Sequence, residues 1–114
     1  MIRIYHNNRC SKSRATLALL EQRGALFEVV NYLDLPPSTT ELTILLKQLG
    51  MTARQLLRTG EDDYKTLKLD DTTLTDEALI SAMVTHPKLI ERPIVVVDGK
   101  AALGRPPEAI LAIL

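Results

Sequence analysis

Apolar positions along this chain switch between two periods, and the switches mark out its elements. Residues 2–6, IRIYH, form a short apolar run that predicts a buried strand. Asn7-Asn8-Arg9-Cys10 interrupts it with two turn-forming asparagines. Residues 11–23 then predict a helix, with apolar side chains at Ala15, Leu17, Leu19 and Leu20, and Gly24 stands where a helix C-cap belongs. Residues 26–32, LFEVVNY, are rich in strand formers. A strand–helix–strand order implies a right-handed parallel crossover.

Leu35-Pro36-Pro37 breaks the pattern. Ser38 and Glu41 match a capping box, and Leu42, Leu45, Leu46 and Leu49 recur at helical spacing on one face until Gly50. Residues 52–58 predict a short second helix, and 59–74, with the acidic run Glu61-Asp62-Asp63, a loop with a helical turn. Thr75 caps a helix over 76–85, which carries Asp76 and Glu77 in its first turn and stops at His86-Pro87. Arg92-Pro93 leads into the apolar run IVVV, closed by an Asp98-Gly99 hairpin turn. Residues 101–104 form the return strand, and Pro107 opens a last helix over 107–113. The order is β-α-β, inserted helices, then β-β-α. It predicts an α/β domain over residues 1–114, with one mixed four-stranded sheet of thioredoxin-like order flanked by helices. In that fold the proline before the third strand, here Pro93, is commonly cis.

Composition narrows the reading. The chain has 114 residues, 46% apolar and 25% charged, which suits one globular core and excludes disorder. No apolar run reaches the ~18 residues of a membrane span, and MIRIYH is too short and polar for a signal peptide. Lys and Arg number 14 against 14 Asp and Glu, a balance that argues against nucleic-acid binding. Yet residues 1–60 hold 8 basic and 4 acidic side chains, and no acid precedes Glu21. The basic cluster Arg9, Lys12 and Arg14 suits a small anion, whereas Arg3 reads as solvated surface. A single cysteine, Cys10, excludes an internal disulfide and a Cys-rich zinc site, and no third ligand joins His6 and Cys10 in a metal pair. With no export signal, the expected compartment is the reducing cytoplasm.

Cys10 falls between the first strand and the first helix, where open α/β sheets bind ligands. Helix N-terminal amides stabilise a thiolate there, aided by Arg9, Lys12, Arg14 and His6 wherever they face inward. A buried structural cysteine is the alternative, but a polar turn is an unusual place for one. In Cys10-Ser11-Lys12-Ser13 the fourth position is serine, so a mixed disulfide at Cys10 needs an outside thiol, most simply glutathione. Three residues separate Cys10 from Arg14, too few for a phosphatase loop. Ser13 either hydrogen-bonds the sulfur or caps the first turn. Asn7 and Asn8 read as turn formers, Tyr5, Tyr32 and Tyr64 as packing, and His86 as a side chain set against a helix dipole.

HNNRCSKSR at 6–14 resembles the cysteine loop of the glutaredoxin-coupled arsenate reductases, the ArsC family. YLDLPPSTTEL at 32–42, RQLLRTG at 54–60, HPKLIERPIVV at 86–96 and GRPPEAIL at 104–111 resemble its later motifs in order and spacing. The resemblance implies that Cys10 is the nucleophile, that Arg58, Arg92 and Arg105 surround the oxyanion, that His6 helps lower the cysteine pKa, and that Pro93 is cis beside the site. It implies arsenate, glutathione and glutaredoxin as partners, with glutathione a co-substrate and no bound cofactor. One departure is Asn8, where members commonly carry proline; its absence should loosen the loop. Two other readings remain: a glutathione-dependent thiol oxidoreductase on another substrate, and an RNA polymerase-binding regulator of the Spx type. The second usually carries a Cys-x-x-Cys pair that Ser13 breaks.

Overall fold

The computed structural model describes residues 2–114. The chain falls into two compact units: residues up to Leu35 together with Arg92–Leu114, and Pro36–Glu91.

The first unit holds a sheet of four strands, β1 (Ile2–His6), β2 (Phe27–Asn31), β3 (Ile94–Val97) and β4 (Lys100–Leu103), in the order β2-β1-β3-β4. β1 pairs parallel with β2 and antiparallel with β3, and β3 and β4 form the hairpin. This is the mixed sheet the element order predicts. At its turn Asp98 and Gly99 both take positive φ (48° and 85°), the requirement of a type I′ turn that Asp-Gly meets at little cost. Helix α1 (Ser11–Gln22) crosses between β1 and β2, and Gly24, at φ 66°, follows its C-cap Arg23. Ile4, Leu20, Val95 and Ile110 form the buried core of this unit.

The inner face of α1 differs from the expected apolar set. Ser13, Thr16 and Leu20 are its buried residues, whereas Ala15 is exposed and Leu17 and Leu19 are half-buried. Two hydroxyls can turn inward because both are satisfied. Thr16 Oγ1 donates to the Lys12 carbonyl at 2.8 Å, and Ser13 Oγ bonds His6 Nδ1 at 2.7 Å. The last helix also differs. Pro107–Ile113 is a 3₁₀ helix rather than an α-helix, and no side chain caps its first amides. Seven residues is a long run for i→i+3 bonding, which usually spans about three or four. The second and fourth strands are Phe27–Asn31 and Lys100–Leu103, each displaced by about a residue at its ends from the expected 26–32 and 101–104.

The second unit is helical: α2 (Thr39–Leu49), α3 (Ala53–Leu56), α4 (Asp62–Thr66) and α5 (Asp76–Thr85), then a 3₁₀ turn over Pro87–Leu89. Ser38 Oγ accepts from the Glu41 amide, Gly50 closes α2 in the left-handed region, and Leu42, Leu45 and Leu46 form the buried stripe. Thr52 and Gln55 complete a capping box on α3, and Thr75 Oγ1 accepts from the Ala78 amide to start α5. No helix among the described residues is long and apolar enough to cross a membrane.

Candidate active site

The sheet register gathers one end of the first unit. Tyr5 lies opposite Ile94 and Ile94 opposite Leu103, while His6 lies opposite Asn31. Continuing the same register beyond these pairs carries Arg92 to the side where β1 gives way to the cysteine loop, and Arg105 to the side of Arg92. The hydrogen bonds agree. The Gly104 amide donates to the Pro93 carbonyl at 2.9 Å, and Arg105 Nη1 donates to the Arg92 carbonyl at 2.9 Å. The peptide bonds before Pro93 and Pro106 are both cis.

Gly104 is where α1 meets this end of the hairpin. A Cβ there would clash with Thr16 Oγ1 and come within 2.7 Å of Pro93 Cγ. Glycine therefore permits a close approach that sets Pro93, and Arg92 before it, against the helix that begins at Cys10.

The cysteine loop is tied at almost every residue. The Cys10 amide donates to the Asn7 carbonyl at 3.0 Å, closing a four-residue turn. Asn7 Oδ1 accepts from the Arg9 amide at 3.0 Å, an Asx turn. The Asn7 amide donates to Ser13 Oγ at 3.0 Å, and the same hydroxyl bonds His6 Nδ1 at 2.7 Å. His6, Asn7 and Ser13 are all buried. Arg14 Nη1 donates to the Asn8 carbonyl at 2.8 Å. These bonds make the loop better braced than the lack of a proline at position 8 suggests.

Cys10 is half-buried and occupies the N-cap of α1. Burial alone pushes its thiol up, but the Ser13 amide, the Arg92 guanidinium and the Lys12 amide outweigh it, and the net shift is downward. The source of this stabilisation differs from the expectation. Lys12 acts through its backbone amide. Arg92, distant in sequence, supplies the cationic side chain in place of Arg9 and Arg14. Ser13 likewise acts on the sulfur through its amide, so neither expected role of its hydroxyl holds: the oxygen ties His6 to Asn7 instead.

Arg58 lies in the helical unit. The Leu57–Ile90 bridge, with the Arg58 amide donating to the Leu89 carbonyl at 2.7 Å, brings Arg58 beside Glu91. Arg58 Nη1 contacts Glu91 Oε1 at 2.6 Å, and Nε lies 3.5 Å from Glu61 Oε1. Sequence reasoning missed both pairings: Glu91 stands inside the HPKLIERPIVV motif and Glu61 opens an acidic run, but neither pattern says which cation each carboxylate meets. It also placed His86 against a helix dipole. His86 is the C-cap of α5, the helix end where that reading put it, and its ring also faces Asp63, with Nδ1 3.7 Å from Oδ2. Arg3 is an exposed ion pair with Glu28, and Tyr5 and Tyr32 are buried, as packing residues should be. No His/Cys/Asp/Glu group able to hold a metal ion occurs among the described residues.

A mixed sheet of this order with one cysteine at the head of its first helix, its thiol pKa lowered by helix amides and an arginine, defines a thioredoxin-like protein with a single cysteine. Over residues 5–113 the sequence matches the ArsC family. The chain belongs to that family. It is 58% identical to the uncharacterized protein YfgD of Escherichia coli, covering 99% of this chain and 96% of that one. It is 54% identical to an arsenate reductase of Neisseria meningitidis serogroup A, covering 99% and 97%. The solved structure of an arsenate reductase from Vibrio cholerae superposes with a TM-score of 0.97 at 54% identity, covering 99% of this chain and 97% of that one.

Proposed function

We propose that this protein reduces arsenate to arsenite, with Cys10 as nucleophile and glutathione and glutaredoxin as the reducing partners, in the cytoplasm. The observation that supports the reading is the place of Cys10, at the N-cap of α1 with the Arg92 guanidinium hydrogen-bonded to it, an arrangement that favours its thiolate. A thiolate approaching arsenate meets like charge. An arginine at the sulfur offsets that repulsion and supplies paired donors to the oxyanion.

In the proposed sequence the Cys10 thiolate attacks arsenic, a protonated oxygen leaves as water, and a sulfur–arsenic(V) bond forms. Glutathione thiolate then attacks the Cys10 sulfur. A sulfur–sulfur bond forms, the sulfur–arsenic bond breaks, and its electron pair stays on arsenic, which leaves at the +3 level. Each of the two sulfurs has been oxidised by one electron. Glutaredoxin thiolate attacks the glutathione sulfur of the mixed disulfide and frees Cys10 as thiolate. The outside thiol follows from the serine at position 13. Arg92 and Arg105 hold the oxyanion, Pro93 sets Arg92, and His6 and Ser13 position the loop. Arg58 is the family's third arginine, and its engagement by Glu91 and Glu61 makes its share the smaller.

The test is arsenate-dependent NADPH oxidation coupled through glutathione reductase, glutathione and glutaredoxin. Turnover is expected to require arsenate, glutaredoxin and Cys10 together, to vanish in Cys10→Ser, and to fall further in Arg92→Ala than in Arg58→Ala. Turnover with disulfides but not arsenate would move the reading to a thiol oxidoreductase. An unreactive Cys10 together with tight capture of RNA polymerase would move it to a regulator.

A further inference from the structure

One cavity touches the cysteine loop away from Arg92. It has a volume of about 290 Å³ and is lined by His6, Asn7, Asn8 and Arg9 from the loop and by Asn31 and Asp34 from the chain leaving β2. That is near the small end of ligand sites, which run from ~300 Å³ upward, so it suits a small head group.

The lining is chemically specific. Arg9 and Asp34 face the same cavity, and neither side chain is paired with the other or with any described residue. The side-chain amides of Asn8 and Asn31 are equally uncommitted. His6 is 4% exposed, and its Nδ1 is taken by Ser13 Oγ, which leaves Nε2 as the one hydrogen-bonding atom the buried ring can offer a ligand. A guanidinium, a carboxylate and neutral amides together fit a ligand bearing both signs of charge at one end. A simple oxyanion would be repelled by Asp34. A carboxylate and an ammonium on one carbon, the α-amino-acid head, would satisfy both charges.

We propose that this cavity seats the γ-glutamyl head of glutathione, with Arg9 on its carboxylate and Asp34 on its ammonium. This rests on the reading that glutathione resolves Cys10. Arg9 immediately precedes Cys10 in the chain, and the glutathione head lies about two residue lengths from its own sulfur, ~7 Å when extended. A head anchored beside Arg9 therefore keeps its thiol within reach of the Cys10 sulfur.

The test follows mixed-disulfide formation at Cys10 by intact mass, without arsenate or glutaredoxin. The probes are oxidised glutathione, the disulfide of its glutaryl analogue, which lacks only the α-ammonium, and hydroxyethyl disulfide as an uncharged control. In each step the Cys10 thiolate attacks one sulfur and the other leaves as thiolate. Wild type is expected to prefer oxidised glutathione over the glutaryl disulfide by about tenfold, equivalent to ~1.4 kcal/mol. Asp34→Asn should erase that preference while reacting with hydroxyethyl disulfide at the wild-type rate. Arg9→Gln should slow oxidised glutathione more than hydroxyethyl disulfide, a ratio insensitive to any change in the thiolate itself. A wild type without the preference, or an Asp34→Asn protein that keeps it, overturns the proposal. The arsenate assay uses no analogue and reports separately whether the parent reading stands.

Discussion

Burial works against the Cys10 thiolate, and the Ser13 amide, the Arg92 guanidinium and the Lys12 amide work for it. Only Arg92 can be removed without altering the backbone, so it is the place to test the balance. Iodoacetamide alkylation of wild type across pH should show a midpoint below the ~8.5 of a free cysteine. Arg92→Ala should raise that midpoint, because burial then faces the two amides alone. An unchanged midpoint would mean that the guanidinium does not act on the sulfur. Cys10 stood out in sequence as the candidate nucleophile, since a cysteine in a polar turn ahead of a helix has few structural uses. Its cation did not. Proximity in sequence pointed to Arg9, Lys12 and Arg14, but Arg14 straps the Asn8 carbonyl, Arg9 lines the cavity beside the loop, and Lys12 reaches the sulfur only through its amide. The register of an antiparallel strand pair delivers Arg92 instead. The buried Ser13–His6–Asn7 triangle was hidden for a similar reason: a serine in a helical pattern looks polar and outward until its partners are known.

At the scale of elements, the loop over Asn7–Cys10 and the Gly104 contact hold the active end of the sheet. The Cys10 amide bonds the Asn7 carbonyl, so Asn8 is the second residue of a turn, and neither Asn8 nor Arg9 has positive φ. That is the position a type I turn offers to proline. The Arg14 strap uses the Asn8 carbonyl, which proline keeps. Asn8→Pro is therefore expected to stabilise the protein by ~0.4–1 kcal/mol through the unfolded chain, read as a higher urea midpoint. A lower midpoint would show that the loop needs a conformation proline lacks. Gly104→Ala should act the other way. Its methyl meets Thr16 and the Pro93 ring, neither of which is a flexible chain end, so overpacking of ~1–3 kcal/mol is expected. Because the displaced ring follows Arg92, the alkylation midpoint of Cys10 should rise as well. Loss of stability with no change at the thiol would separate packing from positioning. Strand and helix identities here were readable from periodicity and caps, whereas the 3₁₀ form of Pro107–Ile113 depends on backbone geometry that no residue pattern encodes.

On the scale of the whole molecule, a net charge of zero conceals a division that follows the fold. The unit carrying Cys10 holds 8 basic and 5 acidic side chains, and Pro36–Glu91 holds 6 and 9. The split by chain halves read from sequence has the same sign at its start, but it assigns Arg92 and Arg105 to the acidic half, because only the sheet returns them to the cysteine's unit. A positive surplus around a thiolate has a thermodynamic consequence beyond reactivity. A thiol whose folded pKa lies below its unfolded value binds fewer protons in the folded state over the interval between the two. Its contribution to stability is then absent below the folded pKa, grows as pH rises through that interval, and is complete above the unfolded value of ~8.5. Cys10→Ser lacks this titration and keeps nearly the same shape. The difference in thermal midpoint between wild type and Cys10→Ser should therefore widen in favour of wild type as pH is raised from about 6 to about 8.5, then level off. The same comparison made in the Arg92→Ala background should show a smaller widening, since the guanidinium no longer favours the folded thiolate. A difference that stays flat across the range, or that narrows as pH rises, would mean that folding does not favour the ionised sulfur, and the nucleophile would have to owe its activation to the bound oxyanion instead.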